Sequence, residues 1–385
     1  EYSDSKVDIF EGLIDEDLQS LKETIEISSV SMRKKDTLSI SENIFPKDNS
    51  KPEAIIKQDL TIVENYKQIS TDKIVINGFV YVNLLYMSSS KEEISSELPD
   101  DSKCSVDNLH QLQDRIEFTQ FIPISQSDGK RGCTVNFDDS QLRVKLIQDE
   151  EEKDAFRVEG EILTYIELYK NVEKEIIVDG YHRNKDFVCK FEEKVSQSFV
   201  GTTSAEASSP ENFEIDNIIY AAAEAETANS HCEQGKIITE GNIAVKMICS
   251  CSNEERQVFA VNESLPYRVA VTMPQLTGNE IINHKVYIKD IWAEKINNKQ
   301  LEFNAAVMVF AEVMRPAPFK TLTEPAFEES SLGNRIPPMV IYVCKKNDNL
   351  WQIAKRFKTT CDLIKSINEL ETEELSENQK LLILK

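Results

Sequence analysis

The sequence predicts a mainly β protein in which tandem antiparallel β-sandwich-like modules precede a small α+β domain of strand-helix-helix-strand order. Three observations predict it. Apolar alternation with a two-residue period recurs along the body of the chain, broken by turn signals. The same alternating segments occur twice, in the same order. Helical periodicity is concentrated in the last 45 or so residues.

Taken in chain order, residues 1–35 form an N-terminal segment, read as the remnant of a preceding module. Within it Ile9, Phe10, Leu13, Ile14, Leu18 and Leu21 suggest one amphipathic helix, followed by alternation through Ile25 and Ile27. Residues 36–200 make the first β module and 211–320 the second. Ile55-Ile56 and Lys73 to Gly78 align without gaps on Ile218-Ile219 and Lys236 to Gly241, an offset of 163 positions. Each glycine opens an alternating run, Phe79 to Tyr86 and Asn242 to Cys249, as half-buried strands require. Phe156 to Leu168 answers to Leu301 to Val313 at the shorter offset of 145, so the first copy carries the longer loops. Gly201 to Pro210 is small and polar and reads as a linker, and 321–339 as a proline-stiffened arm holding out the last domain.

The last domain, 340–385, is the most explicit part of the chain. Leu350, Ile353, Ala354 and Phe357 fall on one face of a short helix, with Asp348 or Asn349 placed to cap its first turn. Leu363, Ile364 and Ile367 repeat the pattern on a second helix, and apolar runs at Tyr342-Val343 and Leu381 to Leu384 supply two strands. A unit of about 45 residues has a thin core, so its neighbours should matter.

Composition narrows the function classes. With 44 Lys plus Arg against 67 Asp plus Glu, the net charge is −23, which argues against nucleic-acid binding by the chain as a whole. From Ile341 to Lys385 basic and acidic residues nearly balance, so a partner of the last domain meets a different surface. No apolar run reaches the ~18 residues a membrane helix needs, and no direct membrane insertion is expected. The eight cysteines are scattered without a disulfide framework, as reduced thiols are. Neither a nucleotide-binding glycine loop nor a His-containing catalytic constellation occurs, so no catalytic residue and no cofactor is assigned. The acidic runs Asp149 to Glu152 and Glu371 to Glu374 read as solvated faces. His231-Cys232 with Cys249 and Cys251 is the one group that could be drawn as a zinc site, but its spacing is not that of zinc ligands, and no metal is assigned.

Tyr342-Val343, Asp348 to Phe357, Leu363 to Asn368 and Gln379 to Ile383 together resemble a LysM module. Ile44 to Ile56, Val75 to Gly78, Glu159-Gly160-Glu161 and Asp179-Gly180-Tyr181 look like the SPOCS module, also catalogued as a domain of unknown function, DUF3794. SPOCS modules before one C-terminal LysM resemble the clostridial spore-coat morphogenesis proteins of the SipL type. The resemblance implies a non-catalytic assembly scaffold acting in the mother-cell cytoplasm at the forespore surface. Its LysM module would bind a protein, the ATPase that forms the coat's basement layer (SpoIVA type).

The rival expectation is binding of peptidoglycan or a chitin-like N-acetylglucosamine polymer. By resemblance that groove lies between Asn347 to Leu350 and Ile367 to Leu370. The chain departs from the usual pattern there. Asn347-Asp348-Asn349 stands for Gly-Asp-Thr, Asn368-Glu369 for Asn-Pro, and Asn378-Gln379 for Gly-Gln. The candidate partner- or glycan-binding residues are therefore Asp348, Asn349, Leu350, Trp351, Lys355, Ile367, Asn368, Glu369 and Leu370. Trp351 lies about 100° round the helix from the apolar stripe. It reads either as an aromatic closing the rim of the core or as an exposed interface anchor flanked by Lys355 and Arg356.

Overall fold

The structure, a computed structural model, describes residues 15–47, 50–89, 108–124, 131–148, 154–213, 217–251, 257–297, 300–329 and 337–384. The acidic run Asp149 to Glu152, the polar stretch around 90–107 and the apolar residues before Asp15 lie outside them. The chain divides into two compact units. One comprises residues 29–171 and 199–315, the other 1–28, 172–198 and 316–385.

The larger unit carries the repeat as two β-sandwiches. The first is built from β1 (Leu18–Ile44), β2 (Pro52–Ile69), β3 (Lys73–Ser88), β4 (Leu109–Pro123), β5 (Arg131–Asp138), β6 (Arg143–Gln148) and β7 (Asp154–His182). A β2-β3-β4 meander faces a sheet of order β1-β7-β5, with β6 also paired to β7. Alternation delivers Val80, Val82, Leu84, Leu112 and Ile116 from the meander to Ile44, Val144, Phe156, Val158 and Ile162 from the other sheet. The second sandwich uses β8 (Lys185–Phe213), β9 (Asn217–Glu233), β10 (Lys236–Cys251), β11 (Gln257–Thr272), β12 (Ile281–Asn297) and β13 (Gln300–Glu329). Its sheets run β11-β10-β9 and β12-β13-β8 and bury Ile243, Val245, Leu265, Phe303, Ala305 and Val307 between them.

The repeat extends to ladder irregularities. On β2, Ile56 is an extra residue opposite the Tyr86/Leu85 step, and on β9, Ile219 is the extra residue at the matching step, 163 positions later. A second bulge lies beside Gly78 in one copy and beside Gly241 in the other. A Cβ on Gly78 would lie 2.7 Å from Val63 O and 2.6 Å from Phe118 Cζ, so the kinked β2 backbone requires glycine opposite it.

The strands are long, up to 30 residues in β13. Three expectations are corrected. The expected linker 201–210 is an uninterrupted part of β8. Ala205 and Ala207 pack against the second core, so the small residues that suggested an exposed connection are inward-facing strand positions. Leu18 and Leu21 belong to strand β1 rather than to a helix, and the strand continues through the alternation at Ile25 and Ile27. The arm expected at 321–339 is strand through Glu329, and 330–336 lie outside the described residues. Pro316 and Pro318 are tolerated because the β12 partner of β13 ends at Met314. Beyond that point no β12 carbonyl lies opposite β13 to need the backbone N–H that proline lacks.

In the smaller unit, residues 337–384 form β14 (Met339–Val343), α1 (Leu350–Phe357), α2 (Cys361–Ile367) and β15 (Lys380–Leu384), with β14 and β15 antiparallel. The expected helix stripe is buried at Leu350, Ile353 and Ala354, with Phe357 partly covered. Ile364 is the buried residue of α2. No helix of the described residues is long and apolar enough to cross a membrane.

Candidate functional site

Asn349, not Asp348, caps α1: its Oδ1 accepts from Gln352 N at 2.7 Å. Asp348 instead closes the preceding turn, accepting from Lys345 N at 2.8 Å and from the Tyr342 hydroxyl at 2.7 Å. These donors hold its carboxyl below the usual carboxylate range, the backbone bond from Lys345 most of all. Leu350 is core, whereas Ile367 and Leu370 are half-buried and Glu369 is exposed.

Three positions explain how the sequence departs from the LysM pattern. Asn347 and Asn378, where glycine is usual, have φ of 71° and 68°. Asparagine is among the few non-glycine residues that tolerate this left-handed region, so the turns survive the substitutions. Glu369, where proline is usual, has φ of 54°, a value the pyrrolidine ring cannot reach. The backbone after α2 is therefore unlike that of a chain with proline at this position.

Asn368 is fully engaged inside the domain. Its Nδ2 donates to Ile364 O and Leu382 O, both at 2.8 Å, and its Oδ1 accepts from Leu382 N at 2.7 Å. The amide thus pins the end of α2 to β15 and has little left for a ligand. Asn368→Ala is expected to cost the domain about 2–4 kcal/mol, because it strands both backbone groups of Leu382. Urea denaturation followed through the LysM amides tests this; an unchanged midpoint would show that the bridge is dispensable.

Trp351 and Lys355 are not free. They converge on the 179–186 hairpin between β7 and β8, within the same compact unit. Trp351 Nε1 donates to Asp179 Oδ2 at 2.8 Å and Lys355 Nζ to Asp179 Oδ1 at 2.6 Å. The Tyr181 ring meets the Trp351 ring edge-on with centroids 5.0 Å apart, and its hydroxyl donates to Thr359 O at 2.5 Å. Lys358, itself left-handed at the end of α1, reaches Asp186 at 2.6 Å. Tyr181 is buried among Leu350, Ile353, Ala354 and Ile364, so this hairpin completes the LysM core. The domain is docked rather than held out on an arm, and Trp351 anchors an internal contact rather than an open one.

Partial burial works to raise the Asp179 carboxyl pKa, but hydrogen bonds from Lys355, Trp351 and Gly180 N hold it below the usual range. A depressed folded pKa stabilises above the unfolded value and is lost as pH falls through the folded one. The clamp is therefore intact above about pH 5 and weakens only below about pH 4. Asp179→Asn is expected to cost about 1 kcal/mol at neutral pH, since Lys355 is partly exposed, with the difference from wild type shrinking in acid. Denaturation midpoints at pH 3, 5 and 7 check this; a constant difference would remove the charge from the clamp.

Asp15 and Asp17 meet His182 of the hairpin, bringing three potential metal-ligating groups within 4.8 Å of one another. They do not suit a cation. His182 Nδ1 accepts from Asn184 N and Lys185 N, both at 3.0 Å, so Nε2 carries the proton and points it at Asp15 Oδ2, 3.3 Å away. Nor does the sketched zinc group assemble. His231 pairs with Ile238 at one end of β10, eleven residues from Cys249, or about 36 Å along the strand. Cys249 is buried in the second core, where burial pushes its thiol up to about 11.

Asp179, Tyr181 and Asp186 are the residues the site reading missed. Their one signal was Asp179-Gly180-Tyr181, which entered only as part of the SPOCS resemblance.

Comparison with protein-family models matches residues 342–384 to the LysM domain and residues 51–147 to the SipL, SPOCS domain. The chain thus combines a SipL-type SPOCS domain with a C-terminal LysM domain, the architecture its sequence resembled. The matched SPOCS segment spans β2 to β6, and the β9-β10 hairpin repeats its bulges in the second sandwich. Comparison with the curated proteins and with solved structures returned no match. SPOCS and LysM are binding and scaffold domains, and together they define a spore-coat type of protein with a LysM binding module.

Proposed function

We propose that this chain is a non-catalytic scaffold of spore-coat assembly whose LysM domain binds a protein, the basement-layer ATPase of the SpoIVA type. It would work in the mother cell, at the forespore surface. The observation that carries the reading is the outer face of the LysM sheet. Met339, Ile341 and Val343 are 61, 70 and 45% exposed on β14, beside Leu382 and Leu384 on β15. An apolar stripe of this kind suits a protein surface better than a sugar polymer. The Trp351 face, by contrast, is already occupied by Asp179 and Tyr181.

Glycan binding is the second reading, favoured by the left-handed turn at Asn347, which lets the first groove loop keep a conformation that glycine allows. The two separate in one experiment with the full chain, using purified basement-layer ATPase and purified peptidoglycan sacculi as alternative baits. Retention by the ATPase, reduced about tenfold or more by Ile341→Lys, supports the proposal. Retention on sacculi alone, insensitive to Ile341→Lys, overturns it in favour of the groove.

A further inference from the structure

The two sandwiches of the larger unit enclose a cleft of about 820 Å³, inside the ~300–1,000 Å³ range of ligand clefts. Its walls come from β2, β3 and β4 on one side and from β9 and β12 on the other. Four of these, β2, β4, β9 and β12, are end strands of their sheets. Edge strands carry backbone donors and acceptors that no ladder uses.

At the head of the cleft one edge is already satisfied. Gln111 Nε2 and Asn83 Nδ2 donate to Ala221 O at 2.8 and 2.9 Å, and Ala221 N donates to Gln111 Oε1 at 3.2 Å. The primary amide of Gln111 pairs with β9 as the peptide group of a neighbouring strand would. Ala221 therefore turns both of its backbone groups away from β10. The register has no bulge between Ala221 and Ala223, so the two-residue period turns Ala223 outward as well. Ala223 lies in the cleft wall, and no hydrogen bond reaches its outward groups among the described residues.

The charges of the cleft are unevenly engaged. Lys289 is held by Glu206 at 2.5 Å, Lys47 by Gln113 O at 2.9 Å, and Arg115 lies 5.0 Å from the centre of the Phe79 ring. Asp114 and Asp290 line the same cleft, and among the described residues neither is in an ion pair. Trp292, 39% exposed, supplies an apolar rim.

An open strand edge, two unneutralised carboxylates and an aromatic wall together select one chemistry. We propose that this cleft binds an extended Lys- or Arg-containing segment of a partner protein, which adds as a strand to β9 at Ala223. Its backbone continues the pairing that Gln111 begins, and its cations meet Asp114 and Asp290.

The test uses the full chain and fluorescein-labelled eight-residue peptides read by anisotropy. One alternates Val and Lys, a second is the same peptide N-methylated at alternate residues, and a third alternates Val and Glu. The Val/Lys peptide is expected to bind, and to bind about tenfold or more weakly when N-methylated or when the protein carries Asp114→Asn with Asp290→Asn. Both substitutions are near-isosteric, and thermal denaturation checks that the fold is intact. Absence of Val/Lys binding, equal binding of Val/Glu, indifference to N-methylation, or displacement by a chitin oligosaccharide would each overturn the proposal.

Discussion

Replacing Tyr181 by alanine is expected to destabilise the LysM domain by about 3–5 kcal/mol, although Tyr181 lies outside its sequence. Tyr181 is 5% exposed, sits among Leu350, Ile353, Ala354 and Ile364, and bonds Thr359 O through its hydroxyl. Removing the ring leaves a cavity against α1, and a domain this small has little stability to lose. Tyr181→Phe keeps the ring and loses one hydrogen bond, so it should cost only about 1 kcal/mol. Hydrogen exchange at the amides of α1 and α2 reads both variants locally. If Tyr181→Ala leaves that protection unchanged, the hairpin is an ornament to the domain and not part of its core.

The same contact bears on how the LysM domain should be handled. A fragment beginning at Tyr342 lacks Asp179, Tyr181 and Asp186, and so exposes Trp351 and leaves Lys355 and Lys358 without their carboxylates. Binding by such a fragment would report on a surface that the full chain keeps covered. The outward face of β14 is open in either form, which makes Ile341 the more informative position for substitution.

Legibility in the sequence followed the range of the interactions. The helices of the LysM domain were readable because three- and four-residue spacing is local, and the hairpins because alternation is local too. The offset of 163 even carried the positions of bulges, since Ile56 and Ile219 are set by the same backbone geometry. What stayed hidden depended on distant neighbours. Gly201 to Pro210 has the composition of a linker, and only a core reached by Ala205 and Ala207 makes it a strand. Trp351 was correctly placed beside the helix stripe, but its occupant lies 170 positions upstream. Asn368 looked like a ligand residue because the binding loop and the α2-β15 bridge use the same side chain.

Gly160→Ala is expected to be the most damaging single-methyl substitution in the first sandwich, whereas its repeat counterpart already is alanine. Counting through the shorter offset, Gly160 corresponds to Ala305, which is fully buried in the second core. The difference lies in the opposing strand. In the second copy β12 runs past Ala305 as one strand, pairing it with Ile291. In the first copy the equivalent strand is split, so that β7 pairs with β6 up to Glu159 and with β5 from Leu163. The connection between β5 and β6 folds over the gap and brings Gln141 O within 2.2 Å of where a Gly160 Cβ would be. Gly160 also has φ of 138°, a region that side chains with a Cβ avoid. Strain and overpacking each cost about 1–3 kcal/mol, and together they give about 2–6 kcal/mol. Ala305→Gly should cost only about 1 kcal/mol, because it removes a methyl without a backbone conflict. Chemical denaturation of the two variants decides it. A smaller loss for Gly160→Ala than for Ala305→Gly would mean that the split strand does not set the local backbone.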